Sequence, residues 1–229
     1  MSTEAKATWI FEQVRTRYKS SLTGSSNKKY DLDAAVFVDA PAEVLIKRGM
    51  RNLKAELAQK RGHQEGKRVN AAAYTDPQAD LSGDAMQGKQ LWNLNVQKLN
   101  CEELAKICCW KATEAVIPAY LAAFDPPGDH AVCIVGQANT KPLDLLKNSV
   151  SIKDYKGKTG SSDAWIIDVW LNTACHIADY PEQASAKLDE WSKKGKRVTF
   201  FPVGQDDEIW GAPGGDYKTI FMGATMSWG

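Results

Sequence analysis

Hydrophobic residues near the N-terminus recur at helical spacing. This spacing places them on one face of an α-helix and predicts an amphipathic helix over residues 3–19. The apolar positions that define this face are Trp9, Ile10, Val14 and Tyr18. A stretch of glycine, serine and asparagine, residues 24–27, then ends the pattern.

The next apolar run, residues 34–38, is short and predicts a β-strand. Asp39 and Pro41 follow it, and both are typical of a helix start, since Asp caps free N–H groups and Pro fits the first turn. A second helix is therefore predicted over residues 42–61, and Gly62 ends it. Its expected buried stripe consists of Val44, Leu45, Met50, Leu53 and Leu57.

The middle of the chain changes from polar to apolar character. Polar residues and glycines dominate residues 62–90, which predicts either a long flexible loop or flap or a disordered surface insert. Helical spacing returns over residues 91–120 and is interrupted near Asn100. Beyond a loop rich in proline, two apolar runs bounded by turn residues predict buried strands over residues 130–136 and 164–170.

The C-terminal part adds one more helix and two more strands. Pro181 and Gly195 bound a helix over residues 181–194, and strands are predicted over residues 197–203 and 218–226. Helices therefore come first along the chain, and strands cluster later. This segregation predicts an α+β fold in which N-terminal helices pack on an antiparallel β-sheet.

Length and charge narrow the class of protein. The 229 residues fit a single domain, residues 1–229, with a helical N-terminal part over residues 1–90 and an α+β core over residues 91–229. The 29 Lys and Arg residues nearly balance 28 Asp and Glu residues, which argues against a nucleic-acid binder. No apolar stretch reaches the roughly 20 residues that cross a bilayer. The N-terminus lacks the pattern of a secretory signal, so we expect no membrane span and a cytoplasmic location in the producing cell.

The cysteines indicate free thiols rather than a disulfide framework. There are five, an odd number, and three lie within one predicted helical segment. They are Cys101, Cys108, Cys109, Cys133 and Cys175. No Cys-x-x-Cys pair or His/Cys spacing is typical of zinc, so no metal is expected. Cys101 differs from the others because it begins the second half of the broken helix, where Asn100 is a candidate N-cap.

Cys101, His130 and Asp168 are candidate members of one catalytic site. A thiol at a helix N-terminus is stabilised as thiolate by the helix dipole, and a nearby imidazolium strengthens the effect. His130 opens one predicted buried strand, and Asp168 lies in the next. If the two strands pair antiparallel, the carboxylate reaches the imidazole and orients it. A carboxylate among apolar neighbours is costly without a partner, so we expect it to be paired.

Cleavage of an amide by a thiol also needs donors for the oxyanion. The backbone N–H of Cys101 is the expected first donor, and the side chain of Gln97 or Asn95 is a candidate second donor. Cys175 and His176 form a rival nucleophile and base, but adjacent residues on a strand face opposite sides. Each of the three candidate site residues also has a structural alternative, as an inert thiol, a satisfied strand-end histidine or a solvated carboxylate.

Three segments together resemble a known family. Asn-Cys-Glu-Glu-Leu-Ala at residues 100–105 begins a helix, and Asp-His-Ala-Val at residues 129–132 opens a strand. Trp-Ile-Ile-Asp-Val-Trp at residues 165–170 forms another strand. Their order and setting are similar to those of the transglutaminase-like branch of the papain-like thiol enzymes. The resemblance covers about residues 92–172 and implies a papain-like or transglutaminase-like core.

This resemblance assigns roles to the candidate residues. It implies Cys101 as the nucleophile, His130 as general base and acid, and Asp168 as the residue that orients the imidazole. It also implies that Trp92 and Trp170 wall the substrate groove. No metal or organic cofactor is expected.

The function implied by the resemblance is attack of a thiolate on an amide carbonyl of a protein substrate, with a thioester intermediate. The outcome is glutamine deamidation or peptide hydrolysis by a compact bacterial effector or toxin, with a leaderless route into a target cell left open. Two alternatives remain: a non-catalytic protein-binding module on the same scaffold, and a transglutaminase or acyl transferase. Expected partners are a protein substrate and a chaperone or immunity protein. The loops over residues 62–90 and 138–163 would flank the groove.

Overall fold

The computed structural model describes residues 1–21, 28–53, 83–94, 99–124, 130–136, 150–156, 163–200 and 209–227. Its helices are α1 (Thr3–Ser21), α2 (residues 42–53 as far as described), α3 (Gly83–Asn93), α4 (Cys101–Glu114), α5 (Tyr180–Lys193) and α6 (Lys218–Gly223). Its strands are β1 (Lys28–Tyr30), β2 (Ala119–Phe124), β3 (His130–Val135), β4 (Trp165–Asp168), β5 (Thr173–His176), β6 (Lys196–Phe200), β7 (Ile209–Gly211) and β8 (Met226–Ser227). The protein is therefore of mixed α+β class. None of the helices in the described ranges has the length and apolar character needed to cross a bilayer.

The strands form two antiparallel sheets. The larger sheet has the order β5-β4-β3-β2-β8, and the smaller has the order β1-β6-β7. In the larger sheet β3 is central, and all six of its residues are buried, as its continuous apolar sequence predicts. Its neighbours are aligned so that Ala122 of β2 lies opposite Val132, and Ile166 of β4 lies opposite Ile134. The predicted antiparallel sheet is therefore confirmed.

Two helices cover the larger sheet. Helix α1 packs on β4 and β5, and α4 packs on β2 and β3. The apolar face predicted for α1 is buried, since Ile10, Val14 and Tyr18 are almost fully inaccessible to solvent. Complete burial of an Ile or Val side chain contributes about 1.5–3 kcal/mol to folding. The N-terminal helix is therefore part of the main core.

A glycine sets the distance between α3 and α4. A Cβ atom at Gly88 would lie 2.1 Å from the carbonyl oxygen of Lys106, far inside van der Waals contact. Only glycine allows the backbone of α3 to lie directly against the backbone of α4. Helix α4 thus packs against both β3 and α3.

Several predicted elements are confirmed. Helix α1 matches the helix predicted over residues 3–19, β3 matches the strand over residues 130–136, and β4 lies within residues 164–170. Helix α5 matches the prediction over residues 181–194. Gly195, predicted to end that helix, has a φ of +66°, a left-handed conformation that favours glycine.

Two predicted strands are wrong. Residues 34–38 contain a turn of 3₁₀-helix, Ala35–Phe37, which turns Phe37 into the core and leaves its apolar neighbours exposed. Residues 218–223 form α6 instead of a strand, with Phe221 fully buried, and only Met226 at the end of the predicted range belongs to a strand, β8. Both are short apolar runs, which periodicity alone cannot assign to strand or helix.

The loop predicted over residues 62–90 is wrong at its C-terminal end, where α3 begins at Gly83. Gly88 of this helix lies directly against the backbone of α4, and Ala85 and Leu91 are buried, so tertiary contact outweighs a weak helical sequence. Residues 62–82 of the predicted loop lie outside the described residues. The same holds for most of the loop predicted over residues 138–163, in which Ile152–Asp154 forms a 3₁₀ turn.

The helix predicted over residues 91–120 ends earlier than expected. Helix α4 stops at Glu114, and strand β2 begins at Ala119. Val116 between them has a φ of 51°, and Pro118 has no backbone N–H to continue a helix. These two residues turn the chain into the sheet.

The stripe predicted to be buried on the second helix is wrong as far as α2 is described. Met50 and Leu53 are each 48% exposed, and Val44 and Leu45 are only half-buried. Leu57, the last member of the stripe, lies outside the described residues. The apolar residues of this helix are therefore spaced along one face, but that face is not buried in the main core.

Candidate active site

Cys101 is the first residue of α4. Asn100 is its N-cap: Oδ1 of Asn100 accepts a hydrogen bond from the backbone N–H of Glu103 at 2.8 Å. In return, the backbone N–H of Asn100 donates to Oε2 of Glu103 at 2.8 Å. This reciprocal capping box fixes the start of the helix at Cys101 and confirms the predicted cap. The Cys101 residue is half-buried, whereas the other four cysteines are buried.

His130 opens β3 and is enclosed by aromatic rings. Its side chain is only 1% exposed. The imidazole stacks parallel to the ring of Phe124, with centroids 5.8 Å apart, and meets Phe221 and Trp170 at 5.3 and 5.0 Å. These neighbours fix the plane of the ring, because they leave it little room to rotate.

Asp168 is the last residue of β4 and accepts three hydrogen bonds. Its Oδ2 accepts from Nε2 of His130 at 2.8 Å and from the hydroxyl of Tyr180 at 2.7 Å. Its Oδ1 accepts from the backbone N–H of Leu171 at 2.8 Å. The expected partner for this buried carboxylate is therefore present, along with two donors that compensate its loss of water.

The sheet explains why the histidine and the aspartate meet. Ile134 of β3 lies directly opposite Ile166 of β4. Side chains at even spacing along a strand share a face, so His130 and Asp168 lie on the same face as that pair. The predicted antiparallel pairing of these two strands is confirmed, and it brings the two side chains together.

The charge of His130 follows from its surroundings. Burial alone would lower the pKa of the imidazole. The negative charge and hydrogen bond of Asp168 outweigh this effect, with a smaller contribution from Cys101, and raise the pKa to about 10. The ring is therefore an imidazolium at neutral pH. Burial and the neighbouring Asp168 raise the pKa of Tyr180 well above its usual value, so its hydroxyl stays a donor.

The thiol of Cys101 lies near enough to the ring to contribute to the raised pKa of His130. Nε2 of the ring is already bonded to Asp168, so Nδ1 is the nitrogen left for the thiol. Nδ1 is buried and makes no hydrogen bond of ordinary geometry with the residues that the structure describes. The structure thus brings His130 and Asp168 into direct contact and places the thiol of Cys101 near the ring.

The donors for an oxyanion are only partly described. The first N–H groups of a helix have no acceptor within it, and this applies to the backbone N–H of Cys101. Gln97 and Asn95, the candidates for a second donor, lie outside the described residues. The backbone amide at the start of α4 therefore remains the expected donor.

The remaining cysteines are placed as structural residues. Cys108 and Cys133 are fully inaccessible, and burial raises the pKa of both thiols well above the usual value. The sulfur atoms of Cys109 and Cys133 lie 3.5 Å apart in the interface between α4 and β3. Burial also raises the pKa of Cys175 to about 12.

The rival pair of Cys175 and His176 does not form. The two residues alternate on β5, with Cys175 buried and His176 half-buried. Nδ1 of His176 accepts a hydrogen bond from the backbone of Ala178, and its ring packs on Trp165. The divergence expected for adjacent strand residues therefore separates them.

A cavity of about 460 Å³ borders the site. Leu99 and Leu104, on either side of Cys101 in sequence, line it, as do Trp170 and Lys28. The prediction that Trp170 walls a groove is consistent with this position. Trp92 instead packs on Trp110 with ring centroids 5.6 Å apart, and it is not among the described residues that line the cavity.

Two further residues at the site, Tyr180 and Lys28, were not identified from the sequence. Tyr180, which bonds to Asp168, lies just before the predicted helix that begins at Pro181, and only the tight turn after β4 brings it near. Lys28 donates from Nζ to the carbonyl oxygen of Trp170 at 2.8 Å, and its charge interacts with Cys101 and Asp168. Both depend on tertiary contacts that sequence spacing does not contain.

Neither a metal site nor a match to a known protein indicates the function of this site. Within the described residues, no group of three or more His, Cys, Asp or Glu side chains is placed to hold a metal ion. No family model, curated protein or solved structure matches the chain. The function is therefore argued from the chemistry of the site.

Proposed function

We propose that this protein is a thiol enzyme that hydrolyses an amide of a protein substrate through a thioester intermediate. The observation that supports this most is the position of Cys101 at a helix N-terminus, beside an imidazole whose far nitrogen is bonded to Asp168. A nucleophile, a base and a carboxylate that orients the base are the parts that activate a thiol.

The resting state of the site is proposed to be an ion pair. Because Asp168 keeps His130 protonated, a positive charge faces the sulfur, and a positive charge beside a cysteine stabilises a thiolate. The dipole of α4 adds positive potential at the same point. The thiolate is then ready to attack without a separate proton transfer, so His130 acts first as an acid.

The first half of the reaction forms the thioester. The Sγ of Cys101 attacks the carbonyl carbon, and the negative charge moves to the carbonyl oxygen, where the first backbone N–H of α4 stabilises it. The tetrahedral intermediate then collapses, and the C–N bond breaks. His130 gives its proton to the departing nitrogen, which leaves as ammonia or an amine.

The second half releases the product. His130, now neutral, takes a proton from water, and the hydroxide attacks the thioester carbonyl. The C–S bond breaks, and the thiolate–imidazolium pair is restored. Asp168 remains charged throughout, and Tyr180 holds the carboxylate in place.

We also propose that α4, β3 and β4 form a papain-like or transglutaminase-like core. Helix α4 packs directly on β3, and β3 pairs with β4, so the three site residues come from adjacent elements. The order of the residues along the chain is the order that this resemblance implies.

The test is mass spectrometry of unfolded protein mixtures incubated with the enzyme and a primary amine. A gain of about one mass unit on glutamine indicates deamidation, a new terminus indicates peptide hydrolysis, and an added amine indicates transfer. The expected result is one of the first two products with the wild-type protein.

Three variants control this experiment. Cys101→Ala and His130→Ala are expected to abolish the product, because each removes a reacting group. Cys175→Ala removes a buried cysteine outside the site and is expected to keep it. A product that persists in Cys101→Ala, or an absence of any product, would contradict the proposal and favour a non-catalytic binding module.

A further inference from the structure

The cavity beside Cys101 is strongly basic. Of the described residues that line it, seven are Lys or Arg and one, Glu190, is acidic. The whole chain carries a net charge of only +1, so this concentration is local. We call this cavity, lined among others by Lys28, Lys196, Arg15 and Trp170, the basic cavity.

The central lysines of the basic cavity rest on aromatic rings. Nζ of Lys28 lies 4.4 Å from the ring centroids of both Trp170 and Trp191. Nζ of Lys196 lies 4.3 Å from the centroid of Trp191 and 5.8 Å from that of Tyr30. The protein's own cations therefore already occupy these ring faces, and the ammonium groups are held in fixed positions.

These lysines lack carboxylate partners. Glu190 bonds with Lys187 and Lys194, whereas neither Lys28 nor Lys196 forms an ion pair with any residue that the structure describes. Burial and the nearby positive charges lower the pKa of Lys28 well below its usual value.

Burial also lowers the pKa of Lys196, to about 8. The positive charges of Lys194, Lys187 and Arg48 lower it as well, whereas the negative charge of Glu190 raises it. An anion in the cavity would supply the missing counter-charge and raise the pKa of both amines.

An unpartnered polar atom lies in the same wall. Asn172, in the turn after β4, lines the cavity, and its buried Oδ1 has no hydrogen-bond partner among the described residues. Rotation of the amide presents its NH₂ group instead, which is a donor for an anion. The residue adopts a left-handed φ of 63°, so the turn holds this side chain at a defined place.

We propose that the basic cavity binds acidic side chains of the substrate polypeptide, beside the amide that Cys101 attacks. The position of this binding site relative to the reacting amide rests on the proposed function. The cavity shares Leu99 and Leu104 with the start of α4, so an acidic residue held there places a nearby part of the same polypeptide at the thiol. The enzyme therefore selects amides that lie close to Asp or Glu in the substrate.

An acidic peptide fits the cavity better than a nucleic acid does. Binding of single-stranded nucleic acid relies on open aromatic faces for base stacking, and the rings of Trp170, Trp191 and Tyr30 are covered by lysines. A polyanion also needs an extended basic surface, which the balanced overall charge does not indicate. Carboxylates need only the few ammonium groups that the cavity presents.

The test measures binding separately from catalysis. In the Cys101→Ala protein, fluorescence anisotropy follows a hexaglutamate peptide that carries an uncharged dye, with hexaglutamine carrying the same dye for comparison. Lys28→Met and Lys196→Met are each expected to weaken binding about tenfold, the scale of one charge-assisted contact. Lys193→Met removes an exposed lysine of α5 that does not line the cavity and is expected to change affinity by less than about twofold.

Each other outcome overturns the assignment. Equal binding of hexaglutamine, or equal weakening by Lys193→Met, shows that the cavity does not select acidic side chains. Displacement by a short single-stranded RNA at lower concentration than by unlabelled hexaglutamate identifies a nucleic-acid site instead.

If Lys28→Met does not fold, the salt dependence of the Cys101→Ala protein decides, since an affinity independent of salt excludes binding by charge. The Cys101→Ala protein cannot form a thioester, so this experiment can show binding of the peptide even if the proposed reaction does not occur.

Discussion

Replacement of Asp168 by Asn tests the electrostatics of the site directly. Oδ2 of Asp168 accepts two hydrogen bonds, from His130 and Tyr180, and Oδ1 accepts one, from the backbone of Leu171. An amide of the same shape has one oxygen and one NH₂ group, so it cannot accept all three. The substitution therefore removes the negative charge and leaves at least one buried donor unsatisfied.

The size of the effect follows from the protonation of His130. In the wild-type protein the pKa of His130 is raised from 6.5 to about 10, despite burial that lowers it. This rise corresponds to about 5 kcal/mol of preference for the imidazolium in the folded state. Without Asp168 the burial remains, and the pKa is expected to fall below 6.5.

Stability should then depend on pH in a defined direction. A raised folded-state pKa stabilises the wild-type protein fully below pH 6.5, and this contribution is lost as the pH rises through about 10. The difference in free energy of unfolding between wild type and Asp168→Asn should therefore be largest at about pH 6 and shrink toward pH 10.

Two measurements check this reasoning. The chain has three histidines, so NMR can follow each imidazole separately through a pH titration. Denaturant unfolding of both proteins at several pH values gives the stability difference. The reasoning is refuted if His130 of the wild type titrates near its ordinary value, or if Asp168→Asn leaves its titration unchanged. A stability difference that does not vary with pH would contradict it as well.

Three further substitutions test the supports of the site, each by denaturant unfolding. Tyr180→Phe removes one hydrogen bond to a buried carboxylate and should lower the free energy of unfolding by about 1.5–3 kcal/mol; no change would show that the hydroxyl does not stabilise the charge. Gly88→Ala should lower the free energy of unfolding by about 1–3 kcal/mol or more, because its Cβ would overlap α4. Gly83→Ala has open space around it and should lower the free energy of unfolding by less than about 1 kcal/mol. Equal costs for the two glycines would argue against the close contact of α3 and α4. Asn100→Ala should lower the free energy of unfolding by about 1 kcal/mol, because it removes the cap of α4. Glu103→Gln keeps the capping box and should lower it by less. A larger loss for Glu103→Gln than for Asn100→Ala would contradict the role of Asn100 as the cap.

The three residues of the candidate site could be found from the sequence because each carries a local signal. Asn100 and the acidic first turn mark the start of a helix at Cys101. His130 begins a continuous apolar run, and Asp168 is a charged residue within another. Antiparallel pairing of neighbouring strands is the common arrangement, and it was enough to bring the last two together.

Other parts of the site could not be predicted, because they depend on contacts between distant segments. Lys28 lies on a strand of only three residues, and its position near Trp170 depends on the smaller sheet. Strand β5 was missed because its four residues alternate between buried and half-buried positions without a strong apolar pattern. Without β5 and the turn before it, Tyr180 has no visible reason to approach Asp168.

Errors in the fold have a related cause. Residues 218–223 have the apolar residues of a strand, but they form a helix that buries Phe221. Helix α3 has two glycines and few strongly apolar residues, so its sequence predicts a loop. Its stability comes from close packing on α4, which only the three-dimensional arrangement reveals.

The central claim is that an imidazolium activates the thiol of Cys101. Its most direct test is the rate at which iodoacetamide modifies Cys101 at about pH 6, compared between wild type and His130→Ala and located by mass spectrometry. We expect rapid modification of Cys101 alone in the wild type, and a large loss of rate in the variant. Equal rates in the two folded proteins, or modification of the buried cysteines at the same rate as Cys101, would contradict the account.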